Sequence, residues 1–130
     1  MPESTSPADR VPSLRTVAMP ADTNPNGDVF GGWLMAQMDI AGGSYAYEVA
    51  GGRVVTVAVE AMTFHKPVYT GDLVSCYCDT HRIGNTSITV AVETWVRRRR
   101  GGEQVKVTEG LYTFVAIDRK GQPRPVLEPE

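Results

Sequence analysis

Between Gly31 and Ala50 the chain carries one helix-length segment that is apolar on nearly every side, through Trp33, Leu34, Met35, Met38, Ile40, Tyr45 and Val49. A helix without a continuous polar face has to be buried. Gly51-Gly52 stops it. The C-terminal remainder of the chain must supply the covering surface, and there the hydrophobic period changes from helix to strand. Arg53 to Met62 is rich in Val and Thr, and Leu73 to Ile83 forms a second run after the break at Lys66-Pro67 and Thr70-Gly71-Asp72. Past a tight turn at Gly84-Asn85, Thr86 to Val96 alternates with Ile88, Val90, Val92 and Val96 on one face. Gln104 to Ile117 alternates again, and the spacing predicts Val105, Val107, Leu111, Val115 and Ile117 on a shared face. A short first strand is expected over Leu14 to Met19. The order of strand, long helix and hairpin-linked strands predicts an α+β domain with a mostly antiparallel sheet wrapped around one central helix. Such a monomer leaves edge strands unpaired and part of the helix bare, so at least a homodimer is expected.

The length fits one domain. Residues 1–12, MPESTSPADRVP, are polar and lack the basic and apolar regions of a signal peptide, so they are expected as a disordered N-terminal tail. The domain is placed at 13–125. The end of the chain, GQPRPVLEPE, also reads as tail, with the boundary drawn at 126–130. No apolar run approaches the roughly 18 residues of a membrane span, and the net charge of −2 argues against nucleic-acid binding. Cys76 and Cys78, two residues apart on a strand, do not pair easily, and reduced thiols in a cytoplasmic protein are the expectation. His65 and His81 lack Cys or Asp neighbours at ligand spacing, so no metal site is expected.

The chemistry gathers in NPNGDVFGGWLMAQMD, Asn24 to Asp39. Gly31-Gly32 opens the helix, where free backbone amides beside a positive dipole end can polarise a bound oxygen. Asp39 is a lone carboxylate on an otherwise apolar helix, which is costly unless it is partnered or used. Its neighbours on the wheel include Gly32, Ala36, Gly42, Gly43 and Ala46. These small residues fit either close approach of a ligand or partner helix, or tight packing on the sheet. At 1.5 Å of rise per residue, Asp39 lies about 10–12 Å from the Gly31 and Gly32 amides. Both cannot reach one reacting group within one chain. A site shared across a two-fold axis is the reading preferred. Asp28 fits a helix N-cap or a group that polarises water beside the amides. Asn24 and Asn26 fit turn positions.

MPADTNPNGDVFGGWLMAQMDIAGG, GGRVVTVAVEAMTFHKPVYTGD and RIGNTSITVAVETWV closely resemble the YciA-type acyl-CoA thioesterases of the hotdog fold, over roughly Leu14 to Pro125. The resemblance implies hydrolysis of acyl-CoA to free acid and CoA, in a dimer with composite sites commonly assembled into a trimer of dimers. It implies no cofactor, since CoA belongs to substrate and product. It places the catalytic acid on Asp39 and the carbonyl-polarising pair on Gly31 and Gly32. Related hydrolases often carry Asn where this chain has Asp28. Substrate contacts fall on Asn26 and Phe30, on Arg53, Val55 and Thr56, and on the Gly84-Asn85-Thr86-Ser87 turn. Of the run Arg97 to Arg100, only Arg97 and Arg98 map onto basic positions of the family. They read as a phosphate clamp or as a solvated hairpin tip. Trp33, Met35, Met38 and Tyr45 fit an acyl tunnel or core.

Three other readings compete. A non-catalytic acyl-CoA binding domain would share the fold. A hotdog dehydratase would need a His paired with an acid, for which only His65 offers itself. Serine-hydrolase chemistry lacks its GxSxG elbow.

Overall fold

The computed structural model describes residues 7 and 9–128. The elements run β1 (Leu14–Val17), a 3-10 turn at Pro20–Asp22, α1 (Gly31–Ala50), β2 (Val54–Phe64), β3 (Leu73–Ile83), β4 (Ser87–Arg97) and β5 (Gln104–Ala116). The strands form one sheet in the order β1-β3-β4-β5-β2, antiparallel at every join. α1 packs against all five strands. This is the hotdog arrangement. Gly51, at φ 68°, ends the helix in the left-handed cap that glycine tolerates best.

The core between helix and sheet joins Met38, Ala41, Ala46 and Ala50 to Ile88, Val90, Val92, Tyr112 and Phe114. Of the candidate tunnel residues, Met38 is fully buried, and Trp33 and Tyr45 pack against the core at its margins. Gly42 is explained by this packing. A Cβ there would lie 3.1 Å from the Phe114 ring, so the missing side chain lets helix and sheet close up. At Gly32, by contrast, a Cβ would meet nothing within 4 Å. Packing within the chain therefore accounts for Gly42 but not for Gly32. Cys76 belongs to the core, and burial pushes its thiol up to about 11.

The inward face of β5 differs from the expected one. Val107 is buried as predicted, but beyond it Tyr112, Phe114 and Ala116 point to the helix, and Leu111 and Val115 lie on the other face. The cause is a bulge. Trp95 opposes Lys106 and Thr94 opposes Thr108, so Val107 is an extra residue in the ladder. One extra residue reverses the parity of everything after it. β2 is also irregular and runs on past Met62 to Phe64. Ala61 sits at φ 55°, and Met62 lies over Gly110, where a Cβ would come within 2.6 Å of its terminal methyl.

Within the segments expected as loose tails, the described residues include ordered contacts. Arg10 pairs with Asp79 at 2.8 Å, and its guanidinium lies 5.0 Å from the Tyr77 ring centre. Val126 is fully buried, and its N–H donates to the Asn85 carbonyl at 2.9 Å, so the domain extends past the expected boundary. The buried Arg124 guanidinium donates to the Ala50 carbonyl, capping the negative end of α1. Residues 1–6, 8, 129 and 130 of the expected tails lie outside the described residues.

Candidate active site

Asp39 lies half-buried in the middle of α1. Thr56 on β2 donates its hydroxyl to Asp39 Oδ1 at 2.6 Å. A short bond to an ionised carboxylate is among the stronger hydrogen bonds and fixes its orientation. Among the described residues Oδ2 has no partner, so one oxygen is held and the other is free. Thr56 was expected among the substrate contacts, and its hydroxyl is engaged with the acid.

The N-terminal end of α1 is built differently. The N-cap is Phe30, at φ −64° and ψ 140°, with no side-chain cap bond. Asp28 is therefore not the N-cap. It bridges to Tyr69, and its N–H donates to Asn24 Oδ1 at 3.2 Å. Asn26 N–H donates to the same oxygen at 2.9 Å. With Oδ1 occupied twice, the Asn24 amide NH2 is the end left over, and it has no acceptor among the described residues. The Gly31 and Gly32 N–H groups likewise meet no acceptor among the described residues. Asn24 and Gly31 border an open cleft of about 410 Å³, lined among others by Asp28, Phe64, His65 and Lys66. The Phe64 ring lies where a Gly31 Cβ would come within 3.3 Å, which accounts for glycine there. Asn26 and Phe30 are exposed beside this cleft. Asn24 resembled a plain turn residue in the sequence. Only the double use of its oxygen reveals an oriented donor.

His65 has an acid partner that the sequence spacing did not reveal. Its Nε2 lies 2.6 Å from Glu109 Oε2, which Lys106 also approaches at 3.3 Å. The His65 hydrogen bond, followed by Lys106, holds the Glu109 carboxyl below its ordinary value despite some desolvation.

Most of the remaining candidates cluster near the C-terminal end of the helix, and Arg97 and Arg98 lie at the far end of β4. Val115 on β5 pairs with Val55 on one side and Ser87 on the other, and Ala116 N–H donates to the Thr86 carbonyl. The Arg53–Thr56 segment and the Gly84–Ser87 turn are thereby brought together. Gly84 has no room for a Cβ, which would lie 2.9 Å from Ser87 Oγ. Arg53 borders a groove with Gly43, Tyr47 and Glu48. Arg97 and Arg98 diverge. Arg97 lines a cavity with Arg15 and Trp95 on the sheet's outer face. Arg98 donates to the buried Asp72 carboxylate at 2.6 Å and to the Pro67 carbonyl at 3.0 Å. Its guanidinium lies 5.0 Å from the Tyr69 ring centre, a binding mode suited to holding a loop.

The hotdog domain and its match to a family model define the class first. Residues 26–103 match the family model of the thioesterase superfamily. The chain is 55% identical over 116 residues to the acyl-CoA thioester hydrolase YciA of Salmonella typhimurium, covering 87% of each protein. It superposes on a hexameric thioesterase of Yersinia pestis with a TM-score of 0.83 at 53% identity, covering 88% of this chain and 93% of the other. An acyl-CoA hydrolase from Staphylococcus aureus, solved with butyryl coenzyme A and coenzyme A, gives a TM-score of 0.80 at 30% identity, covering 86% and 68%. The chain belongs to the YciA-type acyl-CoA thioester hydrolases of the thioesterase superfamily. No helix among the described residues is long and apolar enough to cross a membrane.

Proposed function

We propose that this chain hydrolyses acyl-CoA thioesters to free acid and CoA, at a site completed by two subunits. The observation that carries the proposal is the Thr56–Asp39 contact, which leaves one carboxylate oxygen free on the helix face away from the core. The thioester carbonyl would accept from the Gly31 and Gly32 amides of one subunit, which favour the charge that develops on it. Asp39 of the other subunit then deprotonates water, or attacks the carbonyl to form a mixed anhydride. Thiolate is a good leaving group, so neither route needs a strong acid. Single turnover in isotopically labelled water separates the routes, since label entering the Asp39 carboxylate marks the anhydride.

Three alanine variants of the Staphylococcus aureus hydrolase have been solved, at one Asn, one Asp and one Thr. The Asp and Thr positions stand 17 residues apart, the separation of Asp39 and Thr56. The Asn position precedes the Asp by the separation of Asn24 from Asp39. This supports roles for Thr56 as holder of the carboxylate and for Asn24 as a donor beside the amides. The same spacing favours Asn24 over Asp28 as the counterpart of that hydrolase's asparagine.

Exposed apolar side chains mark the shared surface. Phe30, Ile40 and Tyr47 on the helix side and Val55, Val57, Val59 and Phe64 on the edge strand β2 are each at least 38% exposed. A two-fold contact here would pair the open edge, cover this apolar surface and bring the helices side by side. Three such dimers would make the hexamer seen in the Yersinia pestis relative. CoA phosphates would meet Arg53 and the Gly84–Ser87 turn, whereas Arg97, at the other end of β4, would reach them only from another subunit. The chemistry needs no metal or further cofactor, and no membrane or nucleic-acid partner is invoked.

The test is a thiol-release assay on acyl-CoA esters from short to long, including aromatic ones, with wild type and Asp39→Ala. Turnover by the wild type and none by an intact Asp39→Ala oligomer is expected. Binding without release by the wild type would point to a non-catalytic acyl-CoA domain.

A further inference from the structure

β5 presents Tyr112 to the underside of α1. The side chain is 1% exposed and its ring is stacked near Phe114, with centroids 6.4 Å apart. Its hydroxyl donates to the Met35 carbonyl at 2.8 Å. In an α-helix each carbonyl accepts from the N–H four residues on, so the Met35 carbonyl is also the acceptor of the Asp39 amide. Tyr112 thus holds the carbonyl to which the Asp39 amide is hydrogen-bonded. The next turn contains Gly42 and Gly43, residues that stiffen a helix least. Thr56 holds the carboxylate itself, from the strand beside β5. Burial, and then the negative charge of Asp39, push the Tyr112 phenol well above its ordinary value, so it stays a donor.

Phenylalanine would fill the same space, so the hydroxyl is the only part of Tyr112 that packing does not require. We propose that Tyr112 is a positioning residue for Asp39, fixing the backbone of the acid while Thr56 fixes its side chain. The inference rests on the reading of Asp39 as the catalytic carboxylate.

The experiment compares Tyr112→Phe, Thr56→Val, the double variant and Asp39→Asn as full-length oligomers on one acyl-CoA ester. Tyr112→Phe should lower kcat about three- to ten-fold, the range one net hydrogen bond supports, with KM within about two-fold. The double variant should lose less kcat than the product of the two single losses, because both residues act on one group. An unchanged kcat in Tyr112→Phe overturns the inference, even where the variant melts earlier. So does a loss confined to KM, or a pair of losses that multiply fully. Asp39→Asn separates the two levels. If it stays active, the reading of the acid itself fails. If it is dead while Tyr112→Phe is fully active, only the role of Tyr112 fails.

Discussion

The N-terminal end of α1 and its middle are about 12 Å apart along one helix, and they are incomplete in opposite ways. At the end, donors stand without acceptors among the described residues: the Gly31 and Gly32 amides and the NH2 of Asn24. In the middle stands an acceptor, Asp39, with one oxygen held by Thr56. Each region has what the other lacks, and helix geometry prevents them from meeting within one chain. Under the proposed function, the unit of chemistry would be larger than the unit of folding. A two-fold axis would bring the donor end of one helix to the acceptor of its partner.

The comparison can be broken at either region. Asp39→Ala should lower kcat by about a thousand-fold with the oligomer intact, measured by thiol release and size exclusion. A near-normal rate would remove the middle region from the chemistry. Gly31→Pro is the sharpest change at the other end. Phe30 already has a backbone that suits a following proline, and proline is well tolerated at the first helical position. Only the N–H is lost, apart from a small shift of Phe64. A fall in kcat of about a hundred-fold is expected. No fall would leave the amide without a role.

Smaller effects test the packing behind the comparison. Gly42→Ala should destabilise the protein by about 1–2 kcal/mol, because the buried Phe114 ring has nowhere to go. Gly32→Ala meets open space and should be neutral or stabilising by up to about 1 kcal/mol. Thermal melts of the two variants should therefore shift in opposite directions or differ clearly in size. The smallest effect lies beside the donor end. The folded Glu109 carboxyl titrates below its ordinary value, so its contribution is present above the ordinary carboxylate range and is lost as pH falls through the lowered value. Both partners are partly exposed, so the contribution is small. Glu109→Gln should slightly flatten the acid limb of the stability curve.

The helix was legible to the residue, because an apolar segment between two glycine pairs has few alternatives. β3 was legible too, bounded by clear turn residues. The inward face of β5 was not. Its bulge at Val107 depends on pairing with Trp95 and Thr94, which no local pattern records, and the reversal hid Tyr112. Asp39 stood out as a buried-type acid, but Thr56 as its partner required the fold. Asp28 looked like a cap because of its spacing from Gly31, whereas the turn beneath it is organised by Asn24. Arg98 looked like an anion clamp because of its charge run, and the buried Asp72 that engages it lies 26 residues away. In each case the missing information was a contact between distant parts of the chain.

The shared site is tested most directly by mixing two strongly impaired subunits. Asp39→Ala and Gly31→Pro are co-expressed with different tags, and the mixed oligomer is purified through both. In a shared site, one of the two centres of each mixed dimer receives both intact halves. With random pairing within the oligomers, activity should return to about a quarter of wild type. Activity no higher than that of the two parents would contradict a site built across subunits.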